Sequence, residues 1–309
     1  VTYSSRMKVA KEVVANLIYE NNENVNFGLM AFNTDSASSD YRNNKYIDYY
    51  GNGGYIIAEC GADQETLIGN YQPGANLSTN NQSGYGAVGL LEPKTNTPLS
   101  ETLGEAGLYF SGKRSWFNGT NNNADDGHPL GTYSKNCTQS NSSCQNYSND
   151  SPIEYRCQKN YIILVTDGAP TEDDDKFADF NYIINRKLTE DSGDGNTSYL
   201  DDVADFLKHN DLRLNLGSAG DFQDQTITTY TIGFTDEVDA DLLSITATRG
   251  GGQYYQAASA AQLGRALTNI IHAVGEQNEI FTAAAVPVSR ANNAYAGNYV
   301  YYGLFQPTE

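Results

Sequence analysis

Positive charge is scarce in this chain. Its 309 residues carry 19 Lys and Arg against 38 Asp and Glu, a formal net charge of −19. Phosphate backbones are held by clustered Lys and Arg, so this balance argues against a nucleic-acid partner. The excess of acid first of all confers solubility, and locally it offers carboxylate clusters to cations. Long apolar runs are missing too: no stretch approaches the roughly 20 residues needed to cross a bilayer. No segment has the pattern of a secretory leader. The first residue is Val1 and not Met, as expected of a processed or truncated product. Histidine is limited to His128, His209 and His272, which form no helical pair of ligands. There is no G-x-S-x-G elbow, no H-E-x-x-H and no convincing Cys–His pair, so an extracellular hydrolase finds no support and the chain is expected not to be an enzyme.

Cysteine is sparse as well. Cys60, Cys137, Cys144 and Cys157 fall mostly in loop-like sequence and lack the C-x₂-C spacing of a zinc site. Disulfides in an oxidising compartment are the better reading. Four cysteines allow three full pairings, and the sequence does not choose among them. Cys137 with Cys144 would close a local loop, which would leave Cys60 with Cys157.

What is abundant is Asn, Gly, Ser, Thr and Tyr, with Tyr alone at 23, while only 39% of residues are hydrophobic. Such residues suit exposed, hydrogen-bonded loops and adaptable contact surfaces. Long polar insertions on a smaller packed body are therefore expected. Trp116 and the tyrosines near it read as loop packing before they read as a binding surface.

Hydrophobic spacing outlines the body. Met7, Ala10, Val13, Val14, Leu17 and Ile18 recur at helical intervals after a Ser4 or Ser5 cap. Val25 to Phe32 and Tyr55 to Cys60 read as short strands, and residues 61–96 as loop-rich. A helix starts at Thr97-Pro98 with Leu99, Leu103, Ala106 and Phe110 on its apolar face. Tyr161 to Val165 is the strongest buried-strand signal and stops at Thr166-Asp167-Gly168. Helical pieces follow around Phe177 to Leu188 and Tyr199 to Lys208, then a strand at Ile227 to Phe234 and a helix at Ala240 to Thr248. Gly250 to Tyr255 leads into a short strand, and Leu263, Leu267, Ile270 and Val274 mark a last amphipathic helix. Strands alternating with helices predict an α/β fold with a mainly parallel sheet covered on both faces. Ligands of such sheets sit beyond the carboxyl ends of the strands, where Thr166 and Asp167 lie.

Glu190 to Asp201 is a partial match to a calcium loop, with Glu190, Ser192, Asp194 and Asp201 at ligand positions and Gly195 at the sharp turn. Its first and last ligands are not the usual residues, and a solvated acidic loop is the simpler reading. The run Asp173-Asp174-Asp175 reads as solvated too.

These pieces resemble a known family. NYIILVTDGAPT (160–171), NTPLSETL (96–103) and GGGQYYQAASAAQLGRALTNI (250–270) are similar to segments of von Willebrand factor A domains. More narrowly, SRMKVAKEVV (5–14), VNFGLMAFN (25–33), GGYIIAECG (53–61), residues 151–171 and YLDDVADFL (199–207) together resemble the amino-terminal domain of the PilC/PilY type IV pilus tip adhesins. The resemblance covers most of residues 4–275 and rests on the order of several segments. It implies a doubly wound, Rossmann-like domain over residues 1–282, with insertions near 34–95 and 111–155. Residues 283–309 would begin a following β domain, since YVYYGLFQP (299–307) resembles the approach to a propeller.

The resemblance also implies a metal-ion-dependent adhesion site. Thr97 matches the family's second loop and Asp167 its third, a hydroxyl and a carboxylate that suit a hard cation such as Mg²⁺, or Mn²⁺ or Ca²⁺ in its place. The first loop, D-x-S-x-S, occurs nowhere in these residues. The expectation is that it and the strand before it belong to the polypeptide ahead of Val1. The implied setting is the bacterial cell surface, at the pilus tip. The implied partners are minor pilins and a host or abiotic surface ligand. The competing expectation is an assembly or priming factor that contacts minor pilins without binding a ligand through metal.

Overall fold

A computed structural model describes residues 3–33, 40–42, 45–47, 53–78, 82–93, 97–119, 144–155, 158–171, 199–213, 216 and 224–278. The helix proposed at Phe177 to Leu188 and the β domain proposed to begin in residues 283–309 lie outside them.

The centre is a three-stranded parallel sheet. Strand β7 (Asn160–Thr166) pairs in parallel with β8 (Ile227–Gly233), and β8 with β9 (Gly251–Gln256). β-branched and aromatic residues dominate NYIILVT and ITTYTIG, as a pleated surface packed on both sides requires. Every residue of β8 is buried. Its threonines reach partners: the Thr231 hydroxyl donates to Leu243 O at 2.7 Å, and Thr228 Oγ1 accepts from Lys208 Nζ at 2.9 Å.

Helices join and cover these strands. Helix α5 (Leu200–His209) precedes β8, α6 (Ala240–Arg249) joins β8 to β9, and α7 (Ala260–Asn278) follows β9. The Asp239 carboxylate caps α6 by accepting from Leu242 N at 3.0 Å. A Cβ at Gly252 would stand 2.3 Å from Thr229 O, so only glycine lets β9 approach β8 there. Along β7, Ile162 and Leu164 enter one core cluster with α5 and α6, while Tyr161, Ile163 and Val165 enter another with α7. That alternation places helices on opposite faces of the sheet. The fold is α/β, as expected.

A second sheet pairs β1 (Leu29–Phe32) antiparallel with β4 (Gly54–Ala58). Two helices tie it to the parallel sheet. Helix α4 (Leu99–Phe110), buried at all twelve positions, packs on β4 and on α5, and Glu101 Oε2 accepts from Gly53 N at 2.7 Å. Its other buried carboxylate, on Glu105, accepts from the Tyr147 hydroxyl at 2.8 Å. Helix α1 (Tyr3–Asn21) contributes Leu17 to the cluster around α7 and Ala15 and Ile18 to the cluster beside β4.

The stretch read as loop-rich holds more structure than its polarity suggests. Helices α2 (Gln64–Ile68) and α3 (Gly86–Leu90) form there, and Leu67, Ile68, Leu77 and Val88 are fully buried against α1. Each is too short to show a helical period, and each is secured from outside. Asp63 caps α2, and the buried Lys11 ammonium donates to Ser78 O at 3.2 Å and Gly89 O at 3.1 Å. Two short pairs, β2 (Asp40–Arg42) with β3 (Lys45–Ile47) and β5 (Arg114–Gly119) with β6 (Cys144–Asn146), also occur in segments read as polar insertions. No described helix is long and apolar enough to cross a membrane.

Candidate functional site at the carboxyl ends of the parallel strands

Chain leaves β7 through Asp167-Gly168, and three hydrogen bonds fix its course. Phe234 N–H donates to Thr166 O at 2.7 Å, the Thr166 hydroxyl to Gly168 O at 2.9 Å, and the Thr235 hydroxyl to Asp167 O at 3.0 Å. The end of β7 is thereby bound to the end of β8. The Asp167 carboxylate stays 43% exposed, held at the rim and available to solvent.

Thr97 stands just before α4 and is brought to the same place. Its N–H donates to Thr171 Oγ1 at 2.9 Å, and its carbonyl accepts from Thr171 N at 3.1 Å. A Cβ at Gly168 would lie 4.0 Å from Thr97 Oγ1, so the threonine hydroxyl faces the Asp167-Gly168 turn. Two loops some 70 residues apart in sequence therefore converge, and the Thr97 hydroxyl stands next to the turn that carries Asp167.

Three further residues enter the site that sequence reasoning did not single out. Arg6, in the first turns of α1, places NH1 2.9 Å from Glu237 Oε2 and 3.8 Å from Asp167 Oδ2. Glu237 N–H donates to Thr235 Oγ1 at 3.2 Å, which orders the loop after β8. Beside them opens a cavity of about 400 Å³, with Arg6, Val9, Phe234, Thr235, Glu237 and Ser259 in its walls. The acidic Thr235-Asp236-Glu237 turn follows a strong strand signal and could have been found by asking what ends each strand. Arg6 carries no such signal, because only packing of α1 against the sheet brings it there.

A hard cation prefers six or more oxygens. Thr97 and Asp167 are the right kind of donor and supply two of them. Among the described residues no three His, Cys, Asp or Glu side chains gather as a ligand set. The chemistry fits a divalent cation in type and falls short in number.

The remaining candidates lie apart. Glu190, Ser192 and Asp194 of the proposed calcium loop are outside the described residues. Asp201, its last member, is buried in the first turn of α5, and Oδ2 meets Arg249 NH1 at 3.0 Å; the same guanidinium reaches Asp202 Oδ1 at 3.0 Å. Of the disulfide candidates, Cys137 and Cys157 are outside the described residues and Cys144 begins β6. Cys60, expected opposite Cys157, carries a free thiol, which burial pushes up to about 11 against a partly offsetting bond with Tyr109. Its N–H donates to the Tyr109 hydroxyl at 3.0 Å, which anchors the end of β4 to α4.

Comparison with protein-family models, with curated proteins and with solved structures finds no match to this chain.

Proposed function

We propose that the chain is a recognition module of the von Willebrand factor A type, doubly wound and Rossmann-like, from an extracellular tip adhesin of the PilC/PilY kind. In this reading it engages a host or abiotic surface through a metal-ion-dependent site and contacts minor pilins at the pilus tip. The observation that carries the reading is the convergence of Thr97 and Asp167 at the carboxyl ends of the parallel strands. The family resemblance suggested it from sequence, and the two Thr97–Thr171 hydrogen bonds, with Thr97 Oγ1 facing Gly168, support it.

A divalent cation bound there would act as a Lewis acid and accept an oxygen from an acidic group on the partner. The chain's own contribution is to hold one carboxylate and one hydroxyl at the rim on two tied loops, with a coordination position left to the partner. The carboxylate gives charge and the hydroxyl a neutral oxygen, so their removal should have unequal effects. In the full-length protein, Asp167→Ala is expected to weaken Mg²⁺ and Mn²⁺ binding by roughly tenfold or more, and Thr97→Ala by less. Circular dichroism should be unchanged in both, since the site lies beyond the strand ends. Calorimetry is the test, and unchanged metal affinity in Asp167→Ala would remove the metal-dependent reading. It would leave the assembly reading, a pilus factor contacting minor pilins without metal.

A further inference from the structure

We propose that the cavity beside the strand ends seats a basic side chain, Lys or Arg, from a protein partner, with Asp236 as the carboxylate that receives its charge. The inference goes beyond the adhesion reading and needs no metal.

The shape suits one long side chain. The cavity holds about 400 Å³ between the start of α1, the turn after β8 and the start of α7. Its apolar surface comes from buried Phe234, half-buried Val9 and exposed Ala258 and Ala260. The stem of a Lys or Arg is a run of methylenes that such surface covers, while the charged head stays at the rim.

The polar groups of the wall select the charge. Arg6 NH1 is engaged by Glu237 at 2.9 Å and by Asp167 at 3.8 Å, so acids of the protein itself neutralise that cation. The Thr235 hydroxyl donates to Asp167 O and accepts from Glu237 N. The start of α7, ordinarily attractive to an anion, is closed by its own side chains. Gln262 Oε1 accepts from Ala258 N at 2.8 Å and from the Ser259 hydroxyl at 3.2 Å, and Ser259 Oγ accepts from Gln262 N at 3.3 Å. Asp236 is the remaining charge of the wall; it is exposed, and among the described residues no basic side chain pairs with it. One guanidinium against the carboxylates of Asp167, Asp236 and Glu237 leaves the neighbourhood negative, as is the whole chain at −19. An acidic ligand is repelled there and a basic surface is drawn in.

The test uses the full chain in chelator, so that its result is independent of the metal reading. The probe is the capped peptide acetyl-Gly-Lys-Gly-amide, with norleucine or glutamate in place of its lysine as controls. Titration at low salt is followed by NMR through the methyl signals of Val9, Ala258 and Ala260. The lysine peptide is expected to shift these signals saturably and to bind roughly two- to fivefold more tightly than the norleucine peptide, the range an exposed ion pair supports. The glutamate peptide should bind no better than the norleucine one. Asp236→Asn should bring the lysine peptide down to the norleucine value, and Ala260→Leu, which fills the cavity, should abolish binding of both. Circular dichroism of the two variants is the folding control. No saturable shift with the lysine peptide, equal affinity for lysine and glutamate peptides, or an affinity untouched by Asp236→Asn overturns the proposal.

Discussion

Cys60 sits just past β4, tied to Tyr109 of α4, and its surroundings leave it little freedom. A Cβ added at Gly28 would stand 2.8 Å from Cys60 Sγ, and the Tyr109 hydroxyl accepts the Cys60 N–H. Burial raises the thiol to about 11 from an ordinary 9.0, so the folded state holds the proton more tightly than the unfolded chain does. The associated stability is fully present below pH 9 and is lost as pH rises through the window from 9 to 11. Across that window the loss should amount to roughly 2–3 kcal/mol. Cys60→Ala should lack this component, which denaturant melts of the two proteins at pH 8 and pH 11 would measure. At pH 8 the folded protein should leave Cys60 unlabelled by a thiol reagent, and unfolding without reductant should expose it. A Cys60 that stays unreactive after unfolding would instead be disulfide-bonded.

At the scale of elements, the two sheets each present an edge that no described strand pairs. Phe234 N–H donates to Thr166 O, so even-numbered residues of β7 point their amides at β8 and Ile163 and Val165 point theirs the other way. The side chains of β1 and those of Tyr161, Ile162, Ile163 and Val165 are only half-buried, although they are as apolar as buried β8. Helix α4 packs on β4 and shares a core cluster with Ile162 and Leu164 of β7, while α1 contributes to the clusters around α7 and beside β4. A strand between β1 and β7 would complete these contacts. Running parallel to β7, it would end beside Asp167, where Arg6 anchors the start of α1. We expect the Ile163 and Val165 amides, which no described strand accepts, to exchange faster than those of Ile162 and Leu164, which face β8. Equally slow exchange of all four, followed by NMR, would show that a further strand pairs this edge.

For the molecule as a whole, the question is whether attachment or assembly needs the site. The net charge of −19 makes self-repulsion a general cost of compactness, eased by any salt. A cation acting at one site must do more than that. We expect millimolar Mg²⁺ to raise the melting temperature beyond what Na⁺ does at equal ionic strength, and Asp167→Ala to abolish the difference. In cells, normal pili with lost attachment in Asp167→Ala would favour metal-dependent adhesion. Loss of piliation, with minor pilins no longer recovered in a pull-down, would favour the assembly role.

Much of this was legible in the amino-acid sequence because it depends on periodicity and on strand ends. The apolar run Tyr161 to Val165, the spacing from Leu263 to Val274 and the stop at Asp167-Gly168 each state their element locally, and β7, α7 and the turn follow them. Asp167 could be named as a candidate for the same reason, whereas Thr97 was named only through the resemblance. The buried helices α2 and α3 were not legible, since five residues are too few to display a period and their burial is provided by α1 and Lys11. Nor was Arg6: a basic residue early in an amphipathic helix is ordinarily a solvated charge. Sequence by itself determined the types of the longer elements, the acidic balance and the carboxylate at the strand end, because those are set by neighbours along the chain. Only the tertiary structure decided that Thr97 would meet Asp167, and that Arg6 would share its charge with Asp167 and Glu237. Those distances arise where α1, α4 and the sheet pack together, and no spacing along the chain encodes them.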